Sequence, residues 1–333
     1  MEALNRYTRI LFIWVVLPFM TLPTATSAQE PSYDYYVAGN PDDVDRITTG
    51  GLMLMGGGPD VDEAFRWLIN KSGGGDIVVI RASGGDGYNP YIYGLGQVDS
   101  VETIVFQNRD AAYDRTVLDI IMGAEALFMA GGDQWNYLRY WKDTPVERAI
   151  QMLAQQGIPI GGTSAGLAVM GEFSFSAEND TVYSDEALAD PYNRYMTFER
   201  DFLDLPDMES AITDSHFSER DRMGRLIGFL ARLVEDGWTT TAFGIGIDEE
   251  TAVLIDEDGY ASLRGKGAAY FLRTPGRPER CEPDVSLTYQ DIAVYRISNS
   301  GSFDMVTWQG NGGISYRISA EDGQLVSSNG SIY

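Results

Sequence analysis

Apolar positions along this chain fall into two alternating registers. Short continuous runs, "GGLMLMGGG" (Gly50 to Gly58), "DIVVIRAS" from Asp76, "VETIVFQ" from Val101, "EALFMAGGDQ" from Glu125 and "IPIGG" from Ile158, read as strands buried on both faces. Between them "DEAFRWLIN", "RTVLDIIMGA", "YLRYW" and "VERAIQMLAQQ" repeat their apolar residues at helical spacing. Strands alternating with amphipathic helices predict an α/β fold: a mostly parallel sheet covered by helices on both faces. Most of these strands end in glycines, and the carboxyl edges of such sheets are where open α/β folds bind ligands.

The pattern then changes. From Glu172 to Pro206 the chain is acidic, aromatic and poorly periodic, which predicts a long loop or lid near the sheet edge. "ERDRMGRLIGFLARLVED" restores helical spacing, and the stretch from Thr241 to Leu272 reads as short strands, with "DEDG" (Asp256 to Gly259) as a hairpin turn. From about Thr274 the period becomes two, in "IAVYRI" and "GISYRI", predicting a β-rich C-terminal extension over 274–333.

Composition narrows the function. An apolar share of 44% with 22% charged residues describes a folded globular chain of 333 residues. The formal net charge of −25 repels phosphate backbones and anionic lipid, so neither nucleic acid nor a membrane surface is an expected partner. The first residues carry Arg6 and Arg9, an apolar run "ILFIWVVLPFM" interrupted by Pro18, and small residues ending at Ala28. This is the pattern of a secretory signal over 1–28, and it predicts a secreted or periplasmic protein. Cys281 is the single cysteine, which excludes an intrachain disulfide and cysteine-rich metal sites.

The candidate chemistry begins at Gly162-Thr163-Ser164-Ala165-Gly166, a G-x-S-x-G pattern between a predicted strand and a helix. On such a turn a serine is exposed as a nucleophile, and the next N–H, that of Ala165, faces a developing oxyanion. A packing turn would use the same small residues. Activating a serine hydroxyl calls for an imidazole, and the chain has one histidine, His216 in "ITDSHFSERDRMGRL". A carboxylate to orient it is available in "GIGIDEETAVLI", where Asp248, Glu249 and Glu250 are all candidates. Gly131 and Gly132 end another strand and offer N–H groups to an oxyanion. Arg220, Arg222 and Arg225 follow His216 and suit either a substrate carboxylate or a helix face paired with acids.

Taken in order, "AGGDQ", "GGTSAG", "D-x-HF-x-x-R-x-R-x-GRL" and "GIGIDE" resemble the cyanophycinases and the wider serine peptidase family S51, over roughly Gly50 to Leu272. The resemblance implies a fold similar to class I glutamine amidotransferases (flavodoxin-like), with an S51 peptidase-like domain over 29–273. It implies a Ser-His-Glu triad of Ser164, His216 and Glu249, with Asp248 as the second choice of acid. The oxyanion donors are then the N–H groups of Ala165 and Gly132, and Gln134, Asp214, Arg220, Arg222 and Arg225 line the substrate pocket. No metal or cofactor is implied; a peptide or polymer substrate such as cyanophycin and a homodimer are. Two positions depart from the family pattern: Ser215 stands where cyanophycinases carry glutamine before the histidine, and Asp133 where asparagine is frequent. Ser215 lacks an amide that would contact a β-aspartyl-arginine unit. Rival readings are an α/β-hydrolase esterase, with Asp185 or Asp204 as its acid, and a non-catalytic exported binding protein.

Overall fold

The computed structural model describes residues 31–298 and 301–333; the signal-like segment over 1–28 lies outside them. In chain order the strands and helices are β1 (Tyr33–Gly39), β2 (Gly51–Met55), α1 (Asp62–Lys71), β3 (Ile77–Arg81), α2 (Tyr88–Leu95), β4 (Ser100–Phe106), α3 (Arg115–Met122), β5 (Ala126–Met129), α4 (Gln134–Trp141), α5 (Pro145–Gln155), β6 (Ile160–Thr163) and α6 (Ala165–Ala168). There follow β7 (Phe173–Phe175), α7 (Ser184–Ala189), β8 (Phe198–Arg200), β9 (Ala211–Asp214), α8 (Met223–Glu235), β10 (Phe243–Ile247), β11 (Thr251–Asp256), β12 (Tyr260–Gly265) and β13 (Ala268–Arg273). The last strands are β14 (Tyr289–Ser298), β15 (Ser302–Asp304), β16 (Gln309–Asn311), β17 (Ile314–Glu321) and β18 (Gln324–Ser327).

Two sheets result. The first runs β1-β4-β3-β5-β6-β2-β11-β12-β15-β16, with the β4-β3-β5-β6-β2 stretch parallel. Its side chains show why the runs are continuously apolar. Met53, Met55, Ile77, Val79 and Phe128 face α1 and α2, while Leu52, Leu54, Val78, Ile80 and Met129 face α3, α4 and α5. A strand buried on both faces cannot alternate with polar residues. The helices are held at their starts by local caps: Asp114 before α3, Asp133 before α4, and Thr144 with Pro145 before α5.

The second sheet, β18-β17-β14-β13-β10-β9-β7-β8, is parallel only at β10-β9-β7. Ile245, Ile247 and Phe271 of this sheet join the core under the first, and Ile212, Tyr270 and Leu272 face α8. The fold is therefore mixed α/β, with a mostly parallel core sheet and a second, β-rich one. Strands from the segment after Thr274 are not set apart: β14 pairs with β13, and β15 pairs with β12.

One local expectation changes, and two elements lie where the pattern named none. The acidic stretch from Glu172 to Pro206 contains β7, α7 and β8, and Phe173, Phe175 and Leu188 are buried among its residues. Three of its aromatic residues, Phe173, Phe175 and Phe202, are core, whereas Tyr183 is exposed. The polar segment near the start supplies β1, antiparallel to β4 at the edge of the first sheet. Helix α2, "YNPYIYGL", hides behind its Pro90 and Gly94, the Pro being tolerated in the first turn.

Candidate active site

The strand "IPIGG" delivers Ser164 to a turn with φ 52° and ψ −111°, a strained conformation for a residue with a side chain. The flanking glycines are required by close approach. A Cβ on Gly166 would stand 2.1 Å from the Met129 carbonyl oxygen, and one on Gly162 2.7 Å from the Gly166 backbone. The Ser164 N–H is tied to the Met55 carbonyl at 3.1 Å, so the turn is fixed from the neighbouring strand. Helix α6 that follows is only one turn long, shorter than the helical pattern after Ser164 had suggested. Ala165 is its first residue, and its N–H has no acceptor within the helix.

His216 follows β9 in the second sheet, also at positive φ (45°), with its N–H on the Gly56 carbonyl at 2.7 Å. Its Nε2 lies 2.8 Å from Ser164 Oγ and its Nδ1 2.5 Å from Glu249 Oε1. The carboxylate holds the proton on Nδ1, which leaves the Nε2 lone pair to accept from the hydroxyl. Burial pushes the imidazole pKa below its ordinary value; the bond to Glu249 opposes this, and the nearby Arg220 and Arg222 add to it. The ring is therefore neutral at neutral pH.

The three consecutive acids separate cleanly. Glu249 meets His216, whereas both oxygens of Asp248 are taken by the backbone N–H groups of Ser218 and Ala268, each at 2.9 Å. Asp248 thus anchors the loop after His216 to β13 and is not within the relay. Glu250 pairs with Lys266 on the surface.

A cavity of about 590 Å³ opens in front of Ser164 and His216. Gly132, Gln134, Asp214, Ser215, Arg220, Arg222 and Arg225 all line it, with Asp133 and the segment from Ala177 to Ser184. The arginines differ. Arg225, 3% exposed, makes a bidentate pair with Asp214 at 2.7 and 2.5 Å and also reaches Thr181 and the Val182 carbonyl. Arg222 donates to the Ser215 carbonyl at 2.8 Å, and burial pushes its pKa down to about 10. Arg220 is half-exposed, and among the described residues its one ion-pair partner is Glu249, at 3.9 Å. Of the three, Arg220 alone presents an uncommitted fork to a ligand. Gln134, which lines the cavity, uses its amide N–H on the Phe175 carbonyl at 3.3 Å.

The site also contains residues that the motifs did not single out. Gly57, after β2, has φ 91°, and a Cβ there would meet the His216 ring at 2.5 Å and Ser164 Cβ at 3.1 Å. Glu250 N–H bonds to the Gly57 carbonyl at 3.0 Å. The Gly56-Gly57-Gly58 turn is thus the floor on which the two sheets bring their strand ends together. Three glycines after a buried strand were its visible signal. The lining by Glu178, Asp180, Thr181 and Tyr183 had none, because polar residues in an acidic stretch look like solvated surface.

The family model for Peptidase family S51 matches residues 94–263, about half the chain, including Ser164, His216 and Glu249. The cyanophycinase of Geminocystis herdmanii is 30% identical over 228 residues, covering 65% of this chain and 78% of that protein. The cyanophycinase of Trichormus variabilis is 27% identical over 212 residues, covering 62% of this chain and 66% of that protein. Among solved structures, a peptidase from an acI-B1 Actinobacterium shares the fold, with a TM-score of 0.50 at 17% identity over 67% of this chain and 90% of that one. The chain therefore belongs to peptidase family S51 and is a distant relative of the cyanophycinases.

Proposed function

We propose that the chain is an exported serine peptidase of cyanophycinase type, cleaving peptide or isopeptide bonds of aspartyl-containing substrates through an acyl-enzyme. The observation that carries this reading is the relay from Ser164 Oγ to His216 Nε2 at 2.8 Å and from Nδ1 to Glu249 at 2.5 Å. Ser164 Oγ attacks the substrate carbonyl carbon while His216 takes its proton, and the carbonyl oxygen becomes an oxyanion facing the N–H groups of Ala165 and Gly132. His216 then gives the proton to the departing amine, and the C–N bond breaks to leave the acyl-serine. A water molecule repeats the attack, with His216 as base, and releases the acid and free Ser164.

The cavity supports a charged substrate. Arg220 is placed to take a substrate carboxylate, and Glu178 and Asp180, which line the same cavity, suit a cationic group such as a guanidinium. The test is incubation of purified protein with cyanophycin, a panel of β-aspartyl dipeptides and a nitrophenyl ester, with products identified by mass. Release of β-aspartyl-arginine or of free amino acids, lost in Ser164→Ala, is the expected result. Turnover of the ester alone would replace this reading with an esterase, and turnover by Ser164→Ala would end it.

A further inference from the structure

The loop from His216 to Arg222 carries the imidazole at one end and a cavity arginine at the other. Both His216 and Asp221 are held at positive φ, 45° and 48°. Such a loop keeps its shape only if its surroundings fix it. Helix α8, which follows at once, begins without a capping side chain: Arg222 at its N-cap makes no such bond. The first N–H groups of a helix have no intrahelical acceptor, so their partners must come from elsewhere.

They come from two distant segments. Met223 N–H donates to the phenol oxygen of Tyr333 at 3.0 Å, 110 positions away, and Arg225 N–H donates to Ser184 Oγ at 3.1 Å. The Tyr333 hydroxyl in turn donates to Asp221 Oδ1 at 2.9 Å, and Ser184 Oγ donates to the Asp221 carbonyl. The Tyr333 ring stands edge-on to Phe217 and Tyr270, with centroids 6.0 and 5.8 Å away. Phe217, next to His216 and fully buried, lies against Gly246 of β10, where a Cβ would stand 2.6 Å from the ring. Tyr333 is itself held by its neighbours, the Ile332 carbonyl accepting from the Tyr316 hydroxyl at 2.8 Å. Burial pushes the Tyr333 phenol pKa upward, so the hydroxyl keeps the proton that Asp221 receives.

We infer that Tyr333 is a positioning residue for the reaction: its hydroxyl and ring fix the His216–Arg222 loop, and so set the imidazole against Ser164. The inference rests on the proposed serine peptidase chemistry, and it places a residue beyond the family-matched stretch 94–263 in the support of the site. Tyr333 does not touch the cavity; it acts through Asp221, Met223 and Phe217.

The single histidine makes the test direct, because in tag-free protein the His216 ring C–H resonances are the only imidazole signals in a proton NMR titration. Groups facing that ring are Glu249, Arg220 and Arg222, none of which is changed. In Tyr333→Phe, kcat on the best substrate should fall about three- to tenfold with KM little changed. In Tyr333→Ala the fall should approach about a hundredfold. In both, the His216 titration midpoint should move up toward the ordinary imidazole value as the loop admits water, further in Ala than in Phe, and the acid limb of kcat should follow. If both variants melt earlier than wild type yet keep its kcat and its His216 titration, Tyr333 is merely structural and the inference is overturned. If Tyr333→Ala does not fold, Tyr333→Phe decides alone. If the wild type hydrolyses nothing, the reading of function has failed, and the titration still decides whether Tyr333 sets the loop.

Discussion

The cavity has two walls built on different principles. The wall bearing Ser164, His216 and Glu249 is assembled from the ends of buried strands, with backbone groups tied across sheets and residues at positive φ held by glycines behind them. The opposite wall, from Ala177 to Ser184 with Arg220, is built of polar side chains, several of them exposed, such as Tyr183 and Glu178. Chemistry needs fixed geometry within fractions of an ångström, and strand ends supply it. Substrate choice tolerates and exploits a variable surface. The Arg225–Asp214 pair joins the walls, since Arg225 ties the end of β9 to the Thr181 hydroxyl and the Val182 carbonyl.

The contrast is broken most severely at Gly57. In Gly57→Ala the new methyl collides with the His216 ring and strains a positive φ, so kcat/KM should fall about 10²-fold or more. A near-normal kcat would mean that the glycine floor does not set the triad. Next comes the seam. Asp214→Asn leaves the Arg225 guanidinium buried without its counter-charge and should cost about 3–5 kcal/mol of unfolding free energy, measured by denaturant titration. Adding Arg225→Met should recover part of that loss; no recovery would show that the pair does not act as a unit.

The smallest effect belongs to the substrate wall. Arg220→Met should raise KM for a carboxylate-bearing substrate and change kcat little near neutral pH. Its guanidinium is one of the groups that lower the His216 pKa, so removing it should raise that pKa. In the proposed mechanism the neutral imidazole is the active form, hence the acid limb of kcat should move to higher pH. A limb that stays in place, or moves down, would contradict the electrostatic reading of Arg220.

What could be read beforehand follows the same division. The parallel strands were legible because burial on both faces forces unbroken apolar runs, and Ser164 because Gly162 and Gly166 must stay small around it. His216 was legible by its uniqueness. The choice among Asp248, Glu249 and Glu250 was not, because it depends on which side chain turns toward a residue from another strand; only the fold gives Asp248 to Ser218 and Ala268. Likewise, Arg225 resembled a helix-surface arginine until β9 placed Asp214 beneath it. The pairing of β14 and β15 with different sheets also escaped the period-2 pattern, which identifies strands but not their partners.

The central claim is that Ser164, activated by His216, is the atom that attacks. It is tested most directly by treating the protein with a fluorophosphonate at neutral pH and mapping the adduct by peptide mass spectrometry. The account predicts one adduct, on Ser164, formed at the rate at which hydrolysis is lost and abolished in His216→Ala. Hydrolysis that continues undiminished with Ser164 fully modified, or loss of activity with the adduct on another residue, would contradict it.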